Sequence, residues 1–152
     1  MNVDLYLGLL HSGERVLAQS FRLVAEHHGD EPDVHGICLT LAEQCDDHAH
    51  RLAPMLDRYG ERPDGEPARF HADALTEGRT GPVGLLRDLQ DLHLLASLVD
   101  VTGTVLRQAA LALRDEELLA LLEDHRAETA IQEAWLLTRI KQAAPQALLV
   151  AT

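Results

Sequence analysis

Aromatic side chains are scarce in this 152-residue chain, which has two Phe, two Tyr and one Trp. A core without large rings must be filled by Leu, Val, Ala and Ile, a composition typical of helical bundles. Lysine is scarcer still. Lys141 stands alone beside twelve arginines, an imbalance that reflects GC-rich codon usage and not a binding function. Positive charge is outnumbered overall, 13 Lys and Arg against 25 Asp and Glu, for a formal charge of −12. That balance argues against nucleic acid and anionic membrane surfaces as partners, since both attract basic patches. The opening "MNVDLYLGLL" lacks a basic n-region and carries Asp4, so it does not read as a signal peptide. "QALLVAT" near the end is too short to span a bilayer. The two cysteines, Cys38 and Cys45, fall on one expected helix, about 10 Å apart along its axis and too far for a disulfide. The expectation is a cytoplasmic protein with a single domain and no membrane segment.

Helical periodicity fills four long stretches, about 4–28, 34–59, 82–113 and 115–143, with no strand-like alternation. Gly29 stops the first, and Asp33 offers an N-cap to the second. Gly60 opens "GERPDGEPARFHADALTEGRTGP", a crossover over 60–81 with a short helix expected near "ARFHADAL". Thr80-Gly81-Pro82 reads as a cap followed by proline in the first turn, and Asp115 caps the fourth helix, which should end before Pro145. The order is short turn, long connection, short turn. Helices joined by short turns form antiparallel hairpins. A helix of some 26 residues is about 39 Å long, and a crossover of this length can reach beyond about 70 Å. It can therefore return along the whole bundle and leave helices two and three parallel. The alternative is a loose linker between two hairpins, which would expose their apolar faces. The fold class expected is all-α, an antiparallel four-helix bundle.

Placing residues at about 100° intervals separates inward from outward positions. The apolar stripe of helix two is Val34, Ile37, Cys38, Leu41, Leu52, Met55, Leu56 and Tyr59. Cys45 and His48 fall inside it, Gln44 at its edge, and Asp46, Asp47 and His50 on the opposite half. Most of the conspicuous "DDHAH" cluster is thus expected to be solvated. Glu14 interrupts the stripe of helix one, and His125, Thr129 and Gln132, with Glu128 beside them, interrupt that of helix four. On helix three Asp100, His93 and Arg107 flank the inward face, and Asp100 has Arg107 as a candidate ion-pair partner. His11 and His93 read as margin residues, and His27, His28, His35 and His71 as solvated ones.

Reflection of the helices through their turns brings Glu14, Cys45, His48, Asp100, His125 and Glu128 to one mid-bundle height. Three carboxylates in an aliphatic interior cannot all ionise without positive charge among them. A metal, a histidinium at His48 or His125, or Arg107 could supply it. Carboxylate oxygens with imidazole nitrogens suit Fe, Mn or Zn.

With its two hairpins, long crossover and mid-bundle acidic and histidine residues, the chain resembles the ferritin-like superfamily over nearly its whole length. "CDDHAHRLAPMLDRYGERPDGE" and "ELLALLEDHRAETAIQEAWL" are most similar to a bacterial, stress-associated branch. Di-iron members carry Glu on helix one, Glu-x-x-His on helix two, Glu on helix three and Glu-x-x-His on helix four. Glu14 matches the first. Cys45-x-x-His48 replaces the second glutamate by cysteine, Asp100 stands at the third position, and His125-x-x-Glu128 reverses the fourth. The resemblance implies metal ligation by these six residues and oxidation of Fe(II) by oxygen or peroxide. The residues leave open a metal-free polar network in a non-enzymatic stress or interaction module.

Helix three carries a second apolar row, Leu94, Leu98, Val101 and Val105, behind its inward face. The expected cover is the same row of a second subunit, as a homodimer. The alternative cover is the crossover, through Phe70, Ala74 and Leu75.

Overall fold

The computed structural model describes residues 1–60, 75 and 78–150. They form α1 (Val3–His27), α2 (Pro32–Tyr59), α3 (Gly81–Leu113) and α4 (Glu116–Pro145), followed by a π-helical turn, Gln146–Val150, with no strand among them. The all-α expectation holds. The expected helix near "ARFHADAL", with Phe70, His71 and Ala74, lies outside the described residues except for Leu75. The Leu75 amide donates to Ser20 Oγ on α1 at 3.2 Å, so this one crossover residue packs on α1.

Two helix ends differ from expectation. α2 starts two residues early, with Glu31 at the N-cap and Pro32 in the first turn. Asp33 sits instead inside that turn, bonded by Arg139 of α4 at 2.8 Å. A proline with fixed φ and no amide fits a position whose amide has no helical acceptor, which is why Pro32 displaces the cap. α4 runs through Pro145 because the proline removes only one donor and the chain continues in the wider π-turn. At the α3–α4 turn, Arg114 takes a left-handed conformation, φ 55°, that closes α3.

Cross-links between helices set their register. Along α2 and α4, Arg58 meets Asp115 and Glu117, Arg51 meets Asp124 at 2.9 Å, Gln44 meets Gln132 at 3.1 Å, and Asp33 meets Arg139. Numbers rise along one helix as they fall along the other. α1 and α2 behave alike, with Arg22 on Asp46 and Glu14 on His48. So do α1 and α3, where His28 meets Asp88 and Gly13 faces Val99. A Cβ at Gly13 would lie 3.3 Å from Val99 Cγ2, so the glycine lets α3 approach α1 beside Glu14. The core between the four helices is aliphatic, with Phe21 the one fully buried Phe, Tyr or Trp among the described residues.

His28 corrects the expectation that it is solvated. It is buried, and its Nε2 lies 2.8 Å from Asp88 Oδ2, itself buried. Arg79, at the end of the crossover, holds the other Asp88 oxygen at 2.9 Å and Asp91 at 2.7 Å. The pair ties the C-terminal end of α1 to the start of α3.

Asp115 is the best-supported cap. Its Oδ1 accepts the Leu118 amide at 3.0 Å, and its Oδ2 accepts from Arg58 at 2.5 Å and from the Tyr59 hydroxyl. Burial alone would push this carboxyl up, but the Tyr59 and Leu118 hydrogen bonds and the Arg58 charge outweigh it and hold it low. Asp115→Ala should destabilise the protein by about 2 kcal/mol, at the upper end for an N-cap. The loss should be full above the ordinary carboxylate pKa of about 3.9 and shrink as pH falls through the lower folded value. Urea unfolding of both proteins at pH 7 and in acid tests this, and a gap that widens in acid contradicts it.

Candidate metal centre

Midway along the bundle, Glu14, His48 and His125 are buried side by side, 1%, 0% and 4% exposed. Each places one donor atom within 4.8 Å of the others. Each also follows from helical spacing. Glu14 is one heptad from both Leu7 and Phe21, His48 precedes Leu52 by four, and His125 lies between Leu122 and Thr129. Asp46, Asp47 and His50 are exposed, so the register read for α2 is the observed one.

His48 organises the layer. Its Nδ1 lies 3.1 Å from Glu14 Oε1. Burial by itself would lower its pKa, but the hydrogen bond and charge of Glu14, aided by Glu128, raise it above the ordinary histidine value. His48 Nε2 comes within 3.3 Å of Glu128 Oε2, yet the alignment is too poor for a hydrogen bond, and this nitrogen has no such partner. The His125 ring stacks on His48 with centroids 4.1 Å apart. Burial first, then the neighbouring His48 and Arg51 charges, depress His125 to about 3, so it is a neutral imidazole at physiological pH.

The remaining expected members stand around this trio. Glu128 is at the rim, its side chain 36% exposed. Asp100 is half-buried and lines, with Glu14 and His125, a cavity of about 10 Å³, room for one water-sized occupant. It neighbours Glu133, whose carboxyl is pushed up first by burial and then by Asp100. Arg107 does not serve Asp100; it pairs with Glu123. Cys45 is buried with Sγ 3.7 Å from Gln132 Nε2, which also donates to Gln44. Burial and the Glu14 charge push its thiol up, so it stays protonated, and it is not one of the three converging donors. The His28–Asp88 pair was missed by the sequence reading, although Asp88 falls three after Leu85 and four before Leu92 on the inward face.

The donor set suits a transition metal. Two imidazoles and one carboxylate with open positions are the ligand type of mononuclear non-haem iron, and Zn and Mn accept the same donors. Glu14 Oε2, His48 Nε2 and both His125 nitrogens are buried without a hydrogen-bond partner. Such atoms are costly to leave unpaired, and a cation would satisfy the carboxylate oxygen and one lone pair on each ring. The residues fit a single ion. Comparison with protein-family models, with curated proteins and with solved structures found no match.

His125 gives a direct test of the unpaired atoms. In the presence of a chelator, His125→Leu should be more stable than the wild type by about 1–2 kcal/mol, because a buried imidazole with no partner is replaced by an apolar side chain. Denaturant unfolding decides it. A destabilised variant would mean that the stacked ring contributes more than its desolvation costs.

Proposed function

We propose that the chain is a ferritin-like bundle, with α2 and α3 parallel across the crossover, that binds one transition-metal ion between Glu14, His48 and His125. The observation that carries this reading is the convergence of three buried donor residues in a layer where Glu14 Oε2, His48 Nε2 and both His125 nitrogens lack hydrogen-bond partners. Fe is the first candidate, with Mn and Zn as competitors, and the role attached to the site is iron or oxidative-stress handling in the cytoplasm. A single ion replaces the dinuclear centre because Cys45 stands where a bridging carboxylate is needed and His125-x-x-Glu128 turns its carboxylate to the rim. When bound, such an ion supplies Lewis-acid or redox chemistry.

The chain's own residues define what surrounds it. Glu14 supplies the negative charge, His125 offers a lone pair without first losing a proton, and His48 must release one. Binding therefore releases protons and strengthens with pH. Glu128, Asp100 and Cys45 stand outside the first contacts, and Leu10, Val99 and Leu122 supply the apolar part of the adjoining cavity's lining.

A second reading rests on the Glu14–His48 pair. A histidinium beside the carboxylate already neutralises the layer, as needed in a metal-free stress or interaction module.

Elemental analysis and titration of purified protein with Fe(II), Mn(II) and Zn(II) separate the two. The expected result is one ion per chain and a metal-dependent rise in melting temperature. Glu14→Ala combined with His48→Ala should abolish both, while His50→Ala leaves them unchanged. Binding that survives the double variant would place the ion on surface histidines, and no binding by the wild type would establish the metal-free network.

A further inference from the structure

Behind its inward face, α3 exposes a row that the other described helices leave uncovered. Leu94 is 68% exposed, Val101 60% and Val105 44%, with Leu98 half-buried between them. Among the described helices, α3 alone is long and apolar enough by composition to cross a membrane, and only 22% of its apolar window is buried. The surplus apolarity is this outer row.

Its pattern is self-complementary. The intervals 94–98, 98–101 and 101–105 are four, three and four residues, the same read in either direction. Two such rows laid antiparallel about a two-fold axis between residues 99 and 100 put Leu94 opposite Val105 and Leu98 opposite Val101. Every large side chain then meets a smaller one, as close packing of helix surfaces requires. Charge agrees. Between Leu92 and Leu106 the only formally charged residue on α3 is Asp100, on the α4 side beside Glu133. In a protein of charge −12, two copies can meet along this row without opposing carboxylates. A bilayer, by contrast, would have to accept the charged faces of the neighbouring helices.

We propose that the chain forms a two-fold homodimer in which the outer faces of the two α3 helices pair antiparallel, centred between Val99 and Asp100. A standard interface takes about 800 Å² per copy, roughly a tenth of the 8469 Å² surface. α3, 33 residues and about 50 Å long, is the longest of the described helices and leaves most of its apolar window unburied. The inference is independent of the metal site.

Light scattering at tens of micromolar should give twice the 16.7 kDa chain mass. The combined variant Leu94→Glu with Val105→Glu, at exposed positions that leave the fold intact, should be a monomer with unchanged helical circular dichroism. Leu94→Lys with Val105→Glu should restore the dimer, because each lysine then faces a glutamate of the other copy. A monomeric wild type would overturn the proposal, including one that instead floats with zwitterionic vesicles. A dimeric wild type whose Lys/Glu variant stays monomeric would overturn this register, and a dimeric Glu/Glu variant would remove α3 from the interface.

Discussion

A carboxylate 1% exposed among leucines cannot remain ionised without a positive charge beside it, and Glu14 sets that demand for the whole bundle. His48 meets it from α2, so the α1–α2 hairpin has one electrostatically acceptable register. A slip of one residue would bring the backbone neighbours Asp47 or Ala49 to Glu14 and leave the charge unanswered. His125 then closes the layer from α4, stacked on His48, and cannot take a second proton because burial and the first charge both oppose it. One histidinium, one neutral histidine and one carboxylate follow from a single constraint. Gly13 belongs to the same arrangement, since it brings α3 close enough to enclose the layer beside Val99.

The chemistry of the layer depends on which partners are missing. A di-iron layer needs carboxylates on several helices to bridge two ions. Here the α2 position is a protonated thiol held near Gln132, the α4 carboxylate is at the rim, and Asp100 leans toward Glu133. Once His48 gives up its proton, what remains inside is one carboxylate charge and three nitrogen or oxygen donors, a set that suits one cation and not two.

Most of this was legible at 100° per residue. The inward stripes, the burial of Glu14, His48 and His125, and the exposure of Asp46, Asp47 and His50 all follow from periodicity, because a bundle core enforces it over many turns. His28 shows where the method was applied unevenly. It lies one heptad after Phe21 and so on the inward face, but it follows the last apolar residue of the stripe, and its partner Asp88 is sixty residues away. The rule that found Glu14, an ionisable residue in register with flanking apolar ones, also marks Asp88 between Leu85 and Leu92. The Arg107–Glu123 pairing was not legible at all, since choosing between two carboxylates at one height requires the rotamer of a long side chain. Nor could spacing predict that α4 would run through Pro145 and continue as a π-turn over Gln146–Val150.

A polar layer weakens a bundle relative to an aliphatic one of the same shape, because each buried group loses water before it gains a partner. The described core compensates elsewhere. Leu7, Leu17, Leu52, Leu89, Leu118 and Leu136 are fully buried above and below the layer, and the ion pairs between α2 and α4 lie outside it, where they retain their hydration. α3 contributes least to the charged layer and most to apolar surface, with an inner row that packs and an outer row that does not. A helix of that kind can bind a neighbour without disturbing Glu14, since the residues that would meet a second copy point away from those that enclose the donors. The proposed dimer contact and the proposed metal site therefore fall on opposite faces of one helix, so a substitution at either should have little effect on the other.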